Sequence, residues 1–217
     1  MTADPGRSTP AAQFAASVRR IVPLAWPVFI GQLAVLDRDG VYSAPRTYST
    51  ARENGLVARV GAEITLADGS ALPVLVKNRT GYRNLCKLIT LAKLNPRSPS
   101  VRVEGLAPGE DPHARKRPCF ATWEELSAHA EGLIALTGDE DGPVVRALAT
   151  GDLPTAAATV HRLKTVFGAD NVYVEVQRRR LRGENVRVQL LADLAAAQKI
   201  PLLATSCLLY TSPSPRD

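Results

Sequence analysis

Histidine and cysteine are scarce in this chain, with three of each in 217 residues, and no histidine precedes position 113. His129 and His161 fall on predicted helices without the Glu-x-x-His or His-x-x-x-His spacing that sets metal ligands on one helical face. His113 sits in a Pro-rich stretch, so all three read as surface or hydrogen-bonded histidines. Cys86, Cys119 and Cys207 form no CxxC pair and are odd in number, which argues against a zinc knuckle and a disulfide framework. A reducing, cytoplasmic setting fits that usage. Gly-x-Ser-x-Gly is missing, so Ser/His/Asp catalysis has no support, and no P-loop or Gly-x-Gly-x-x-Gly occurs. The most apolar early stretch, Leu24 to Leu36, contains Pro27 and Gln32 and is too short to span a bilayer. Asp4 precedes the first arginine, and no cationic-then-apolar order marks a signal peptide. Neither an internal repeat nor a heptad run is found.

What is present is ordinary for a globular domain: 45% hydrophobic and 22% charged residues, in a chain long enough for one real core. The net charge of +6 permits contact with a polyanion without requiring it. Residues 1–32 are irregular, with Pro23 and Pro27 punctuating a short amphipathic piece. From Leu33 the pattern becomes regular. Leu33 to Leu36 reads as a short buried strand, and Ser43 to Asn54 as a helix with Gly55 as a left-handed cap. Leu56 to Val60 and Glu63 to Leu66 are strand-like, and Ala67-Asp68-Gly69-Ser70 is a hairpin-type turn into Leu72 to Val76. Arg79 to Leu94 is the clearest helix, with Tyr82, Leu85, Cys86 and Ile89 on one face. Residues 95–119 read as a long surface loop.

Thr122-Trp123-Glu124-Glu125 has capping-box spacing and starts a helix. Gly132 to Thr137 is a strand, Pro143 suits the first turn of a helix, and Pro154 to Phe167 is a helix stopped by Gly168. Asn171 to Gln177, Glu184 to Lys199 and Pro201 to Thr205 complete a strand–helix–strand alternation. That alternation predicts mainly parallel strands covered by helices. The acidic turn Asp139-Glu140-Asp141 is expected to face the positive end of the following helix. Arg178, Arg179, Arg180 and Arg182, with Arg115, Lys116 and Arg117, are candidates for phosphate or DNA contact. No aromatic residues interleave with them, which favours a solvated basic rim.

The run Lys77-Asn78-Arg79-Thr80-Gly81-Tyr82-Arg83-Asn84-Leu85-Cys86-Lys87-Leu88-Ile89-Thr90 resembles a signature of the polymerase-and-histidinol-phosphatase (PHP) domain of bacterial C-family DNA polymerases. Leu36 to Tyr42, Gly61 to Thr65, Gly132 to Gly138 and Val172 to Arg178 resemble further pieces of that family in the same order. The likeness covers residues 33–206 and is closer to the error-prone branch than to the main replicative alpha subunit. It implies an α/β fold, an incomplete distorted (β/α)7-type barrel, in an N-terminal part of a longer polymerase. The closing string CLLYTSPSPRD, residues 207–217, resembles a translated sequencing-library adapter and is expected to be foreign to the natural protein.

In competent PHP relatives, His, Asp, Glu and sometimes Cys at the strand ends hold divalent metals that activate water against a phosphoester. Asp37 and Glu63 match two of those ligands. The rest of the pattern is broken: Arg38 stands where competent members have histidine, Ala71 and Arg179 stand where histidine is frequent, and the opening His-x-His has no counterpart. Two carboxylates do not make a zinc site, and Arg38 repels a dication. The resemblance therefore implies a scaffold without a cofactor of its own. It would belong to a DNA-directed DNA polymerase whose Mg2+ and nucleotidyl-transfer residues lie elsewhere. The implied partners are the remainder of the polymerase chain and DNA, with no membrane. A stand-alone metal-dependent phosphoesterase and a non-catalytic basic DNA-binding module are the alternatives.

Overall fold

A computed structural model describes residues 32–94, 119–177 and 184–205. Nearly all of the segment read as irregular, the long loop after Leu94, the run Arg178 to Arg182 and the adapter-like tail lie outside the described residues. Six strands form one curled, half-barrel sheet in the order of the sequence. They are β1 (Gln32–Arg38), β2 (Val57–Thr65), β3 (Ala71–Val76), β4 (Leu133–Leu136), β5 (Val172–Gln177) and β6 (Leu202–Thr205). The helices are α1 (Ala44–Glu53), α2 (Arg79–Leu94), α3 (Trp123–Ala128), α4 (Pro143–Ala149), α5 (Leu153–Phe167) and α6 (Glu184–Gln198).

β1 pairs parallel with β2, and β4, β5 and β6 are parallel to one another. β3 alone runs the other way, antiparallel to both neighbours. The expected hairpin explains this: Asp68 accepts hydrogen bonds from the backbone N–H and hydroxyl of Ser70, and Gly69 takes φ +76°. As a result the C-terminal ends of β1, β2, β4, β5 and β6 lie along one rim of the sheet, together with the start of β3.

Alternation along the strands separates two faces. Ala62, Ile64, Leu72, Val74, Leu133, Ala135, Val172 and Val174 are buried on one face, in a single core with Leu85, Leu88, Val160 and Leu163 of the helices. Register places Arg38 beside Glu63, and Glu63 opposite Pro73, on the other face. The pairs Leu136–Tyr173 and Glu175–Leu203 continue that face across the sheet.

Three readings need correction. β1 is not buried: its residues are exposed or half-buried, and among the described residues β2 is its one sheet neighbour. The two strand-like pieces flanking Gly61-Ala62 form one continuous β2, with both small residues buried in it. The buried stripe of α2 runs through Gly81, Leu85, Leu88, Ile89 and Ala92, whereas Tyr82 is 41% exposed and Cys86 half-buried. The helix is rotated so that Gly81, not Tyr82, meets the turn before β4. Gly55 does cap α1, with φ +69°.

The capping box at α3 is complete. Glu125 N–H donates to Thr122 Oγ1 at 3.3 Å, and Thr122 N–H donates to Glu125 Oε2 at 2.9 Å. Thr122→Ala removes one of the two bonds and should cost about 1 kcal/mol. Chemical denaturation at constant slope would measure it, and an unchanged midpoint would show the cap to be idle.

Candidate functional site

The two carboxylates with ligand character do not converge. Asp37 and Glu63 sit one register step apart on neighbouring strands, with Asp37 level with Ala62 and Glu63 level with Arg38. They therefore project to opposite faces. Asp37 turns to the start of α1, where its Oδ2 accepts from Ser43 N–H at 2.7 Å and from Ser43 Oγ at 2.8 Å. Neighbouring Asp39, at φ +50°, accepts from Thr65 N–H at 2.8 Å and Thr65 Oγ1 at 2.7 Å, pinning the end of β1 to β2.

Glu63 lies on the face shared with Glu175 of β5. Its Oε2 is 3.3 Å from Arg38 Nε, and Arg38 Nη2 donates to Asp141 Oδ2 at 2.9 Å. Burial pushes the Glu63 carboxyl above the usual carboxylate range. Arg38 pulls it back, while the charges of Asp139, Glu175 and Asp141 push it further up. The acidic turn after β4 thus does something other than cap α4. Asp141 faces Arg38, Glu140 pairs with Arg187 of α6 at 2.9 Å, and Asp139 accepts from Asp141 N–H at 3.1 Å. The N-cap position of α4 is Gly142, which has no side chain to offer.

Glu175 is the site residue that sequence reasoning missed. It is 6% exposed, and its Oε1 accepts from Gln177 Nε2 at 2.9 Å and from the hydroxyl of Thr205. Its backbone N–H donates to Thr137 Oγ1 at 2.9 Å. Its Oε2 is buried with no hydrogen-bond partner. The available signal was a charged residue in the middle of Val-Tyr-Val-Glu-Val, where both neighbours face the core. Glu175→Ala should cost about 1–3 kcal/mol, because Thr205 and Gln177 lose a buried acceptor. Glu175→Gln keeps an acceptor oxygen and should cost less than half as much. Equal losses in paired urea melts would show that the charge itself matters.

These residues do not fit a divalent hydrolytic centre. Asp37 faces away, Glu63 and Asp141 are already paired with a guanidinium, and one oxygen of Glu175 is taken. Among the described residues no group of three or more His, Cys, Asp or Glu could hold a metal ion. His129 instead sits at the end of α3, with Nδ1 2.8 Å from the Glu125 carbonyl, and His161 is exposed on α5. His113 and the arginines at 178, 179, 180 and 182 lie outside the described residues.

The Lys77–Thr90 run proves to be a structural joint. Lys77 N–H donates to the Gly132 carbonyl at 2.9 Å, Asn78 Oδ1 accepts from Gly81 N–H at 2.9 Å, and Asn84 Nδ2 donates to the Glu131 carbonyl at 2.9 Å. The start of α2 is thereby fastened to the turn that launches β4.

Comparison with known proteins identifies the family. The PHP domain family model matches residues 16–179. An error-prone DNA polymerase of Symbiobacterium thermophilum is 36% identical over 176 residues, covering 80% of this chain and 16% of the relative. An error-prone DNA polymerase of Cutibacterium acnes is 33% identical over 82% of this chain and 15% of its own length. The DNA polymerase III alpha subunit of Treponema pallidum is 29% identical over 90% and 16%, respectively. The chain thus spans about a sixth of the length of these relatives. A crystal structure of a protein assigned as a metal-dependent phosphoesterase, from Bifidobacterium adolescentis, superposes with a TM-score of 0.48 at 17% identity, over 87% of this chain and 80% of that one. No described helix is long and apolar enough to cross a membrane. With the family's model matching most of its length, from before β1 to just past β5, this chain belongs to the PHP domain family.

Proposed function

We propose that this chain is the PHP part of an error-prone type, DNA-directed DNA polymerase, and that it supports the polymerase without a metal of its own. The observation that carries the reading is the relationship to error-prone polymerases over four-fifths of the chain. The carboxylates engaged by Arg38 and Ser43 support the non-catalytic part of it. On this reading nucleotidyl transfer and its Mg2+ belong to sequence outside this chain. The partners are the rest of the polymerase and its DNA, and the setting is the cytoplasm. Asp37 and Glu63 are remnants of a ligand set, and Arg178, Arg179, Arg180 and Arg182 are candidates for DNA contact.

Two measurements test this. The longer gene product should extend a primer on a DNA template in Mg2+; a reading frame ending near residue 206 without polymerase residues would overturn the proposal. The 217-residue chain supplied with Mn2+ or Zn2+ should leave a generic phosphoester such as p-nitrophenyl phosphate intact. Metal-dependent turnover would favour a phosphoesterase instead.

A further inference from the structure

The Arg38 guanidinium occupies a particular place. It extends from the end of edge strand β1, lies against Glu63 of β2, and reaches Asp141 in the loop between β4 and α4. It therefore joins three segments along the rim, and β3 lies between the last two in the sheet. The Asp141 backbone carbonyl is itself fixed, accepting from Ala71 N–H at 2.8 Å. Asp139 and Glu175 add negative charge around Glu63. Without Arg38, Glu63 and Asp141 would lose the guanidinium that now lies between them, while the charges of Asp139 and Glu175 remain, and like charges at such range repel.

We propose that Arg38 is the resident cation of this rim: its guanidinium fills the place between Glu63 and Asp141 that an ion would otherwise take, and it latches β1 and β2 to the β4–α4 loop. The inference rests on the metal-free reading above and adds the group that makes it so. The chemistry suits arginine. Its planar fork donates to Asp141 while its Nε pairs with Glu63 in another direction, and it stays charged at any pH the fold survives. A hard dication at the same point would need oxygen ligands that the guanidinium now engages. The ion pairs are partly exposed, with side-chain exposures of 44% for Arg38, 38% for Glu63 and 57% for Asp141. Such pairs add little to overall stability, so the role is exclusion and local fastening rather than bulk stabilisation.

The test is Mn2+ binding by the full 217-residue chain, read from the loss of the free-ion signal in electron paramagnetic resonance. The unaltered chain should bind no Mn2+ in a manner that Glu63→Gln weakens. Arg38→Met should bind Mn2+ at least tenfold more tightly than the unaltered chain, and Arg38→Met with Glu63→Gln should lose that gain. Arg38→Lys, which keeps a cation on the strand, should show no gain. Glu63-dependent Mn2+ binding by the unaltered chain would overturn the proposal, even if Arg38→Met does not fold. A folded Arg38→Met chain with no gain would overturn it as well. The first failure would end the metal-free reading as well and the second would not, and neither touches primer extension by the longer product, which tests the polymerase assignment separately.

Discussion

Gly81→Ala should destabilise the domain by about 3 kcal/mol, the upper end of what overpacking costs in a well-filled interior. A Cβ built at Gly81 would lie 1.9 Å from the Gly132 carbonyl oxygen and 2.5 Å from its carbon. Both are backbone atoms, so no side-chain rotation relieves the clash. Nor can Gly132 move away freely. Its φ is +76°, and its carbonyl accepts from Lys77 N–H. α2 would have to lift from the turn before β4, breaking the Asn84–Glu131 hydrogen bond and loosening the core beneath Leu85. Urea denaturation would show a large fall in midpoint. Arg83→Ala, two residues on and exposed, should stay within about 0.5 kcal/mol of the parent and serves as control. A Gly81→Ala chain as stable as the parent would mean that the two backbones do not approach as described.

Leu85→Ala is expected to cost about 2–5 kcal/mol, the range for deleting a fully enclosed leucine side chain. Leu85 has no exposed surface and lies in the same core as Leu88, Leu133 and Ala135. Its Cα belongs to a 16-residue helix anchored at its start by Asn78 and Gly81, so the backbone is poorly placed to collapse into the void. The loss should therefore fall in the upper half of that range. Leu94→Ala at the end of the same helix removes the same atoms from a side chain that is 74% exposed. It should change stability by less than about 0.5 kcal/mol. Similar losses for the two in guanidinium melts would contradict the burial pattern.

Sequence periodicity located most of the elements, because their signals were local. The Asp-Gly turn, the Thr122–Glu125 box, Pro143 and Gly168 each act within a few residues of themselves. The rim was less legible. Whether Asp37 and Glu63 meet depends on the β1–β2 register, which shifts a side chain to the opposite face with each step and leaves no local trace. The partnership of Arg38 with Asp141 spans 103 positions. Asp141 also stands just before a helix, where the macrodipole offered a sufficient local explanation and gave no reason to look for a distant arginine. Three- and four-residue spacing groups Tyr82 with Leu85, Cys86 and Ile89, but the close approach of Gly81 to Gly132 fixes the helix's rotation and leaves Tyr82 outside. Kinship was easier to see than geometry, since a contiguous run such as Lys77–Thr90 carries its signal in adjacent residues.

Pro73 lies inside β3, a strand with neighbours on both sides. Ala71 N–H donates toward the β4 side, to Asp141, and residue 73, two positions on, turns its backbone the same way. Proline has no N–H to give there. The β3–β4 register accordingly begins at Val74–Ala135 and runs away from the rim. That single missing proton acts as a zip-stop. It holds a slot open at the edge of an otherwise continuous fabric, and the Asp139–Asp141 loop threads into it to meet the arginine arriving from the far border.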